Sequence, residues 1–411
     1  MRSALLGLAL AIVPLWTQAA VLKVGENQSQ HSLKATIVQA KPYDTVMVFS
    51  GFYKEGNLLI NKPLTILGMG LPIIDGDRRF EVITIKSNHV TIKGLKVQHS
   101  GFATLDDPGG IKIQESEFVT ISQNVLYDNF FGIYVQYGRH CRIENNTIVA
   151  FGKEEQQIGN GIHAWKSDSL VISGNRIHGH RDGIYFEFVT HSVIWRNISE
   201  KNIRYGLHFM FSNNDGYFTN TFRNNGAGVA VMFSNHVTMM NNKFVENWGD
   251  AAYGLLLKEI SDSYISGNHF ERNTSGIFME GTSRIMAERN SFEQNGWAMQ
   301  IQASCMDNRL DSNNFLRNTF DIGTNGDVVL NTFSHNHWDK YEGYDLNKDG
   351  IGDITYRPLS MFSVIVAKNP AAMLLFRSMI INLLDKSEKI FPTLTPENFM
   401  DQNPLMRPLP L

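Results

Sequence analysis

Neither sign of charge dominates this sequence of 411 residues, in which 37 Lys and Arg stand against 40 Asp and Glu. It has no basic stripe with interleaved aromatic residues, the pattern that is typical of nucleic-acid binding. Cysteine is scarce, since Cys141 and Cys305 are the two in the chain. The apolar run from Ala4 to Trp16 is shorter than the about 20 residues of a transmembrane helix. We therefore expect no nucleic-acid partner and no N-terminal membrane anchor.

The N-terminus has the three parts of a secretory signal peptide. Met1-Arg-Ser precedes the apolar run, and Thr17-Gln-Ala-Ala20 follows it with the small residues of a cleavage site. Residues 1–20 are predicted to be this signal, cleaved after Ala19 or Ala20. The sequence therefore predicts an exported protein.

A phrase of 22 or 23 residues repeats along most of the chain. Each copy begins with a glycine, at Gly110, Gly132, Gly161, Gly183, Gly206, Gly228, Gly254 and Gly276, with insertions before Gly161 and Gly254. Each copy ends with Asn, any residue and then an apolar one, at Asn124, Asn146, Asn197, Asn220, Asn242, Asn268, Asn290, Asn313 and Asn331. Such self-similarity is the signature of a solenoid and overrides the two or three domains that the length suggests.

Alternation within the repeat assigns its faces. The residues one and three positions after each glycine are apolar, as in Leu207 and Phe209, and are predicted to point inward. The Asn column, and a second one at Asn202, Asn224, Asn247, Asn273, Asn295 and Asn318, are predicted to stack at corners, where Asn tolerates the left-handed backbone. The fold class is therefore all-β, a right-handed parallel β-helix over residues 21–340.

The first coil of the solenoid is predicted to be covered by a helix. Residues 31–41 form a short amphipathic helix, which Pro42 ends, over the first coil.

Cys141 and Cys305 lie about seven repeats apart, which at roughly 4.8 Å per layer exceeds the reach of a disulfide. Both are interpreted as free thiols.

The outward columns, two and four residues after each glycine, are unusual in the middle coils. A solvated sheet face should carry Lys, Glu, Ser and Thr, but these coils carry aromatic, imidazole and thioether side chains. The candidate copper ligands are His163, Glu187, His208, Met210 and Met232. Thioether and imidazole together suit copper, particularly Cu(I). Two alternatives remain, binding of another ligand or protein, and packing under the inserted loop 152–160. His178, His180 and His191 do not align with methionines and are interpreted as ordinary polar side chains.

Residues 341–358 contain a loop with the alternating oxygen side chains of a calcium site, Asp345, Asn347, Asp349 and Asp353. Tyr356 occupies the twelfth position, where a bidentate Glu is expected, and flanking helices are not evident. The alternative is an Asx-turn loop in which these oxygens accept hydrogen bonds from backbone N–H groups.

Residues 359–411 follow as C-terminal helices and an extended tail that starts at Pro392. A helix is predicted over Pro370–Leu384, with Asn369 as N-cap, and Arg377, Asn382 and its short length argue against a membrane span. Its apolar surface exceeds what one coil needs, which predicts docking to another protein at a membrane. The predicted docking residues are Met373, Leu374, Phe376, Ile380, Ile381 and Leu384.

Several segments carry a family resemblance. Residues 32–48, 62–68 and 72–76 resemble the start of carbohydrate-binding and sugar-hydrolase β-helix domains. The sequence is more similar to the NosD family of periplasmic maturation proteins of nitrous oxide reductase. The segments that carry this second resemblance are 206–213, 231–234, 337–345, 349–353 and 356–358.

The resemblance implies a non-enzymatic role in receiving or handing on copper or sulfur. It implies as partners the membrane subunit and ATPase of an ABC transporter, a copper-donating lipoprotein and nitrous oxide reductase. The rival hypothesis is a polysaccharide lyase, hydrolase or C5-epimerase on the same scaffold, for which His163, Glu187, His208 and Lys258 offer acid–base groups. Adjacent central coils carry no pair of carboxylates, and the methionines are hard to explain as polysaccharide chemistry.

Overall fold

The computed structural model describes residues 19–102, 107–249, 252–326, 330–390 and 399–410. The predicted signal peptide therefore lies outside the described residues, apart from its last two. Within the described chain, three parallel sheets run along one solenoid, which confirms the predicted parallel β-helix. We name the sheets A, B and C, with the strands given below, and each coil contributes one strand to sheet C, then one to sheet A and then one to sheet B.

The strands are short and stack in register from coil to coil. The strands of sheet A are Val21–Val24, Thr45–Phe49, Thr65–Met69, Thr91–Lys93, Thr120–Ser122, Arg142–Glu144, Val171–Ser173, Val193–Trp195, Gly216–Phe218, Thr238–Met240, Tyr264–Ser266, Met286–Glu288, Arg309–Asp311 and Thr332–Ser334. The strands of sheet B are Phe52–Tyr53, Ile73–Asp75, Lys96–Gln98, Val125–Tyr127, Thr147–Val149, Arg176–His178, Ile198–Glu200, Thr221–Arg223, Lys243–Val245, His269–Glu271, Ser291–Glu293, Asn314–Leu316 and His337–Trp338. The strands of sheet C are Leu58–Ile60, Ile83–Ile85, Gly109–Gln114, Phe131–Gln136, Ile162–Trp165, Ile184–Glu187, Tyr205–Met210, Ala227–Met232, Tyr253–Lys258, Ser275–Glu280, Trp297–Ile301 and Phe320–Gly323.

Helices lie at the two ends of the solenoid. Helix α1, Leu33–Gln39, covers the first coil, as predicted. Its N-cap residue, Ser32, accepts a hydrogen bond from the backbone N–H of Ala35. Helix α2 is Met361–Lys368 and helix α3 is Met379–Ile390, with a 3₁₀ helix at Pro370–Leu375 between them. A further 3₁₀ turn, Glu155–Gln157, lies in the inserted loop. No helix of the described residues is long and apolar enough to cross a membrane.

The inward columns form one continuous hydrophobic core. Leu207 and Phe209 are fully buried, as are their counterparts in the neighbouring coils. In sheet B, aromatic rings stack at centroid distances between 4.0 and 5.6 Å, from Phe222 through Phe244, Phe270, Phe292 and Phe315 to Trp338. Burying each large apolar side chain is worth about 1.5–3 kcal/mol, so the core accounts for the regularity of the coils. Both cysteines are buried and free.

An asparagine ladder runs inside the corner between sheets A and B. The Oδ1 atom of each Asn accepts hydrogen bonds of about 3 Å from the backbone N–H and the Nδ2 of the Asn before it. The ladder consists of Asn124, Asn146, Asn175, Asn197, Asn220, Asn242, Asn268, Asn290, Asn313 and Asn336. The prediction omitted Asn175 and Asn336 and wrongly included Asn331, which instead bonds Asn308 at the corner between sheets C and A.

The second ladder, between sheets B and C, also differs from the prediction at one place. Asn225, not Asn224, lies between Asn202 and Asn247. Asn224 has φ +55° and occupies the left-handed position that precedes a ladder residue. The left-handed residue at these corners is thus the one before the ladder Asn, because the turn there aims the next side chain inward.

The C-terminal segment closes the last coil. Phe399 is buried against Phe333, and the buried carboxylate of Asp401 accepts hydrogen bonds from the Asn336 amide and from Trp338 Nε1, each at 3.0 Å. Asp401 therefore occupies the place of the next ladder Asn. The predicted extended tail is thus, where it is described, part of the end cap. Removing residues 361–411 would therefore uncover the core of the last coil.

The single helix predicted over Pro370–Leu384 is wrong. The chain leaves the 3₁₀ helix at Phe376, and Arg377 has φ +63°, which interrupts helical geometry before α3 begins. The predicted start was correct, with Pro370 in the first turn after Asn369.

Candidate functional site

The candidate copper ligands lie on the outer face of sheet C, in the middle coils. Parallel pairing places Tyr185 between His163 and His208 in one outward column. The other outward column runs from Trp165 through Glu187 and Met210 to Met232. The structure therefore brings all five predicted ligands onto one surface. The two imidazoles, His163 and His208, lie on the first and third of three successive coils.

The first column is a continuous row of rings. Ring centroids are 4.6 Å apart for Tyr134 and His163, 4.8 Å for His163 and Tyr185, and 4.8 Å for Tyr185 and His208. Tyr205 flanks His208 at a further 4.8 Å. Neighbouring rings remove one another from water, so an outward column becomes buried without a separate covering domain.

His208 is the most unusual group in this row. His208 is only 6% exposed, and neither of its ring nitrogens has a hydrogen-bond partner. A buried polar atom without a partner costs about 1–3 kcal/mol, so such a group calls for an explanation. The Nδ1 atom lies 3.8 Å from Asp182 Oδ2, which is beyond hydrogen-bond distance. His208 thus offers two unused nitrogen lone-pair or N–H positions in a protected site.

The buried carboxylate of Asp182 lies next to the His208 ring. Arg204 donates two hydrogen bonds to it, from Nε at 3.0 Å and from the terminal nitrogen at 2.7 Å. Although burial opposes ionisation, the His208 and Arg204 side chains hold the pKa of Asp182 below its usual value. An ionised carboxylate is therefore fixed next to the imidazole, with the Arg204 guanidinium offsetting its charge.

His163 is also buried, and its imidazole is held neutral. Burial, with a smaller contribution from Arg181, lowers the pKa of its imidazole to about 3, so the ring is neutral at physiological pH. Its Nε2 has no partner, while Nδ1 lies 3.4 Å from Asn160 Nδ2 in the inserted loop. The loop therefore does contact this residue, as the packing alternative predicted.

Tyr185 connects the two outward columns. Its hydroxyl donates to the sulfur of Met210 at 3.6 Å, and burial followed by the charge of Glu187 raises the pKa of Tyr185 to about 12. The tyrosine is thus a neutral donor that holds the thioether in place. Met232 pairs with Met210 in register, so two sulfurs and the His208 ring lie on adjacent coils.

The geometry divides the predicted ligands into two groups. Because Tyr185 separates them by one coil, His163 and His208 do not lie side by side. His208, Met210 and Met232 form the compact group, with Glu187 next to Met210. Among the described residues, no three His, Cys, Asp or Glu side chains cluster as a metal site. Any metal on this face would therefore depend on the thioethers.

An exposed aromatic row beside the site was missed at the sequence level. Phe188, Phe211 and Phe233 directly follow the second outward column and stack with centroids 5.2 and 5.1 Å apart. All three are exposed and have φ between 51° and 54°. Their common place, five residues after the repeat glycine, was the available signal.

The loop predicted to bind calcium uses its oxygens internally. Asp345 accepts hydrogen bonds from the backbone N–H groups of Lys348 and Gly350. Asp349 accepts from Ile351, and Asp353 from Leu346. Asn347 Nδ2 donates to Asp349. This is the Asx-turn alternative, so the calcium site gains no support from the geometry.

The predicted docking residues of the C-terminal segment separate into two faces. Ile381, which is 6% exposed, and Leu384 pack in a small cluster with Phe320, Phe362 and Val366 on the last coil. The exposed face instead carries Met373, Leu374, Phe376 and Ile380 from the predicted set, together with Met379 and Leu383. Leu374 is 91% and Met379 87% exposed, an unusual state for large apolar side chains.

Two proteins with assigned names and one solved structure are similar to this chain. A protein from Pseudomonas aeruginosa, named probable ABC transporter binding protein NosD, is 27% identical over 373 residues, which cover 86% of each chain. The protein of the same name from Stutzerimonas stutzeri is 26% identical over 376 residues, covering 86% of this chain and 85% of that one. A double mutant of the periplasmic alginate epimerase AlgG matches with a TM-score of 0.50 and 13% identity, over 72% of this chain and 77% of that chain. The last likeness shows the fold alone.

A family model described as periplasmic copper-binding protein (NosD) matches residues 44–152 and 149–345. These two segments span nearly the whole β-helix, including every predicted copper ligand. The chain therefore belongs to the NosD family of periplasmic copper-binding proteins.

Proposed function

We propose that this protein receives and hands on copper in the periplasm as Cu(I), at the outer face of sheet C. The observation that carries the proposal is His208, a buried imidazole whose two nitrogens have no hydrogen-bond partner, on the same strand face as Met210. Imidazole and thioether are ligands that Cu(I) prefers. His208, Met210 and Met232 would bind the ion, and Glu187, which pairs with Met210 in register, would add negative charge beside it.

The site suits transfer more than permanent retention. Thioethers are neutral ligands, and Met210 and Met232 are half-buried, so a partner protein can reach them from outside. The neighbouring Tyr185 hydroxyl offers Met210 a hydrogen bond when the ion has left. Copper is thus the cargo in this proposal, and the protein performs no covalent chemistry on it.

The role fits a component of an ABC transporter system, which is what the relatives' names state of them. We propose that the exposed apolar face of the C-terminal segment binds the transporter's membrane subunit, which acts with its ATPase. A copper-donating lipoprotein would supply the ion, and nitrous oxide reductase, with its copper–sulfur site, would be the target of maturation. The lyase or epimerase alternative rests on fold likeness alone.

Anaerobic titration with Cu(I) tests the copper site. We expect the mature protein to bind Cu(I), and His208→Ala/Met210→Ala to weaken the affinity at least 10-fold because both ligands of one strand are lost. Leu256→Ala/Lys258→Ala is the matched control, since these residues occupy the same two columns two coils further along. Equal affinity and stoichiometry in the His208/Met210 variant and the wild type would refute the assignment.

Copurification tests the docking face. Leu374→Ser/Met379→Ser/Leu383→Ser should lose association with the membrane transporter while the thermal midpoint of the β-helix stays unchanged, because all three side chains are exposed. The control Ile381→Ser alters a buried contact and should destabilise the segment instead. Unchanged association in the triple variant would contradict the proposed docking.

A further inference from the structure

A second set of histidines lies along the corner between sheets C and A, away from the candidate copper site. His89, His140, His191 and His236 occupy the same corner position in alternating coils, and all four are exposed. The residues between them in this column differ from coil to coil. Phe118 lies between the first two, and Asn214 lies between the last two.

The intervening residue decides what each pair can do. Phe118 stacks on His89 and on His140, with centroids 5.1 Å away in both cases and interplanar angles of 2° and 14°. The space between those two imidazoles is therefore filled. Between His191 and His236 the coil carries Asn214 and, two residues later, Gly216, which has no side chain on the outer face. A shallow depression of ≈ 470 Å³ opens there, lined by both histidines and by Asn214.

Both histidines at the depression are held through Nδ1. His191 Nδ1 lies 2.9 Å from Asp168 Oδ2, and the Asp168 carboxylate is in turn fixed by hydroxyl donors from Ser169 and Thr190, each at 2.7 Å. His236 Nδ1 lies 2.7 Å from Asn235 Oδ1. An oxygen acceptor at Nδ1 favours the tautomer that carries its proton on Nδ1 and a free lone pair on Nε2. Metal-binding histidines have the same arrangement.

We propose that His191 and His236, with the amide oxygen of Asn214 between them, bind a divalent transition-metal ion such as Zn²⁺. Their column positions are two coils apart, about 10 Å at roughly 4.8 Å per coil, so an ion bound by both Nε2 atoms would lie over the intervening coil of Asn214. Imidazole nitrogen with an amide oxygen suits Zn²⁺, Cu²⁺ or Ni²⁺ and differs from the thioether set that suits Cu(I). The site thus gives the protein a second, chemically distinct metal position. It assigns to His191 a role that its lack of alignment with methionines did not suggest.

Asp168 is a positioning residue in this site. Its carboxylate accepts hydrogen bonds from the Ser169 and Thr190 hydroxyls and lies 2.9 Å from His191 Nδ1. The carboxylate and the imidazole are therefore held in place before a metal arrives. Replacing such an outer partner of a ligating histidine weakens metal binding by about 10–100-fold.

Titration of the full mature protein with Zn²⁺ alone, followed by calorimetry, tests this inference. We expect one equivalent to be lost in His191→Ala/His236→Ala and retained in His89→Ala/His140→Ala, whose histidines share the corner and the spacing. Asp168→Asn should keep the stoichiometry and weaken the affinity about 10–100-fold. Thermal midpoints of the two double histidine variants should match the wild type, because these four side chains lie at the surface.

The same titration separates this inference from the copper proposal. His208→Ala/Met210→Ala should still bind the Zn²⁺ equivalent, since those residues lie on another sheet face. Loss of the equivalent in that variant, or in His89→Ala/His140→Ala, would overturn the assignment to His191 and His236. So would an unchanged equivalent in His191→Ala/His236→Ala, or no Zn²⁺ binding by the wild type.

Discussion

The coil that carries His208 and the coil that carries Leu256 have the same backbone and nearly the same interior. Both contribute six-residue strands to sheet C, and their inward side chains, Leu207 with Phe209 and Leu255 with Leu257, are fully buried. The difference is confined to the outer face. One coil presents an imidazole and a thioether, and the other presents a leucine and a lysine that pairs with Glu280 at 3.5 Å.

The comparison teaches where function can reside in a solenoid. Inward positions are constrained by the core in every coil, so they cannot change without cost. Outward positions are free to vary, and a buried imidazole without hydrogen bonds is retained there only if something offsets its desolvation. The unusual composition of the middle coils is therefore informative because the late coils show that the scaffold does not need it.

The largest expected effect is a loss of stability from substitutions in the hydrophobic core, which both coils share. Phe209→Ala should lower the free energy of unfolding by about 3–5 kcal/mol and Leu257→Ala by about 2–5 kcal/mol, because each opens a cavity in a closely packed core. Urea denaturation of the two variants measures this. If Phe209→Ala were nearly neutral, the interiors of the two regions would not be equivalent and the comparison would fail.

A smaller effect should distinguish the regions by pH. The pKa of His163 is lowered to about 3 in the folded protein, first by burial, whereas an unfolded histidine titrates near 6.5. The unfolded chain binds more protons between these values, so stability is fully present above pH 6.5 and is lost as the pH falls toward 3. The slope for one such group is at most about 1.4 kcal/mol per pH unit.

Hydrogen exchange at matched pH values measures this difference. Wild type and His163→Gln should differ in protection of the Ile162–Trp165 strand at pH 5 more than at pH 7, since only the imidazole gains a proton on unfolding. The strand Tyr253–Lys258 contains no histidine and should behave alike in both proteins. An equal pH response of the two proteins in the Ile162–Trp165 strand would show that His163 is not held neutral.

The smallest effect concerns the aromatic row beside the site. Phe211 and Glu259 occupy the same corner position, with φ of 51° and 52°. Glycine relieves a left-handed strain of about 1–2 kcal/mol, which offsets the roughly 0.5–1.5 kcal/mol of ring stacking lost in Phe211→Gly. We expect Phe211→Gly and Glu259→Gly each to change stability by less than about 1 kcal/mol in urea denaturation. A loss above about 2 kcal/mol in Phe211→Gly would make the row structural instead of a free surface.

Much of the fold could be predicted from the sequence because the repeat period and the alternation of side chains are local properties. Leu207 and Phe209 point inward, as the alternation of side chains after the repeat glycine predicts. The corners were harder, because Asn224 and Asn225 are adjacent and the pattern does not tell which one turns inward. Asn331 fits the same triplet but belongs to another corner, which only the register of the last coils decides.

The site could be predicted in its residue types but not in its environment. The outward columns identified His208 and Met210 together. The burial of His208 depends on rings contributed by neighbouring coils, and its charge environment depends on Asp182 and Arg204, which no spacing rule connects. The end cap was missed because Asp401 and Asn336 are separated by 65 residues of irregular sequence.

The central claim is that copper binds where the middle coils depart from the late ones, and X-ray absorption at the copper edge tests it most directly. Cu(I)-loaded protein, prepared anaerobically, should show sulfur scattering from Met210 and Met232 together with imidazole nitrogen from His208. The His208→Ala/Met210→Ala protein should lose that signature, while Leu256→Ala/Lys258→Ala should keep it. A shell of oxygen and nitrogen alone in the wild type, or an unchanged sulfur shell in the His208/Met210 variant, would contradict the account.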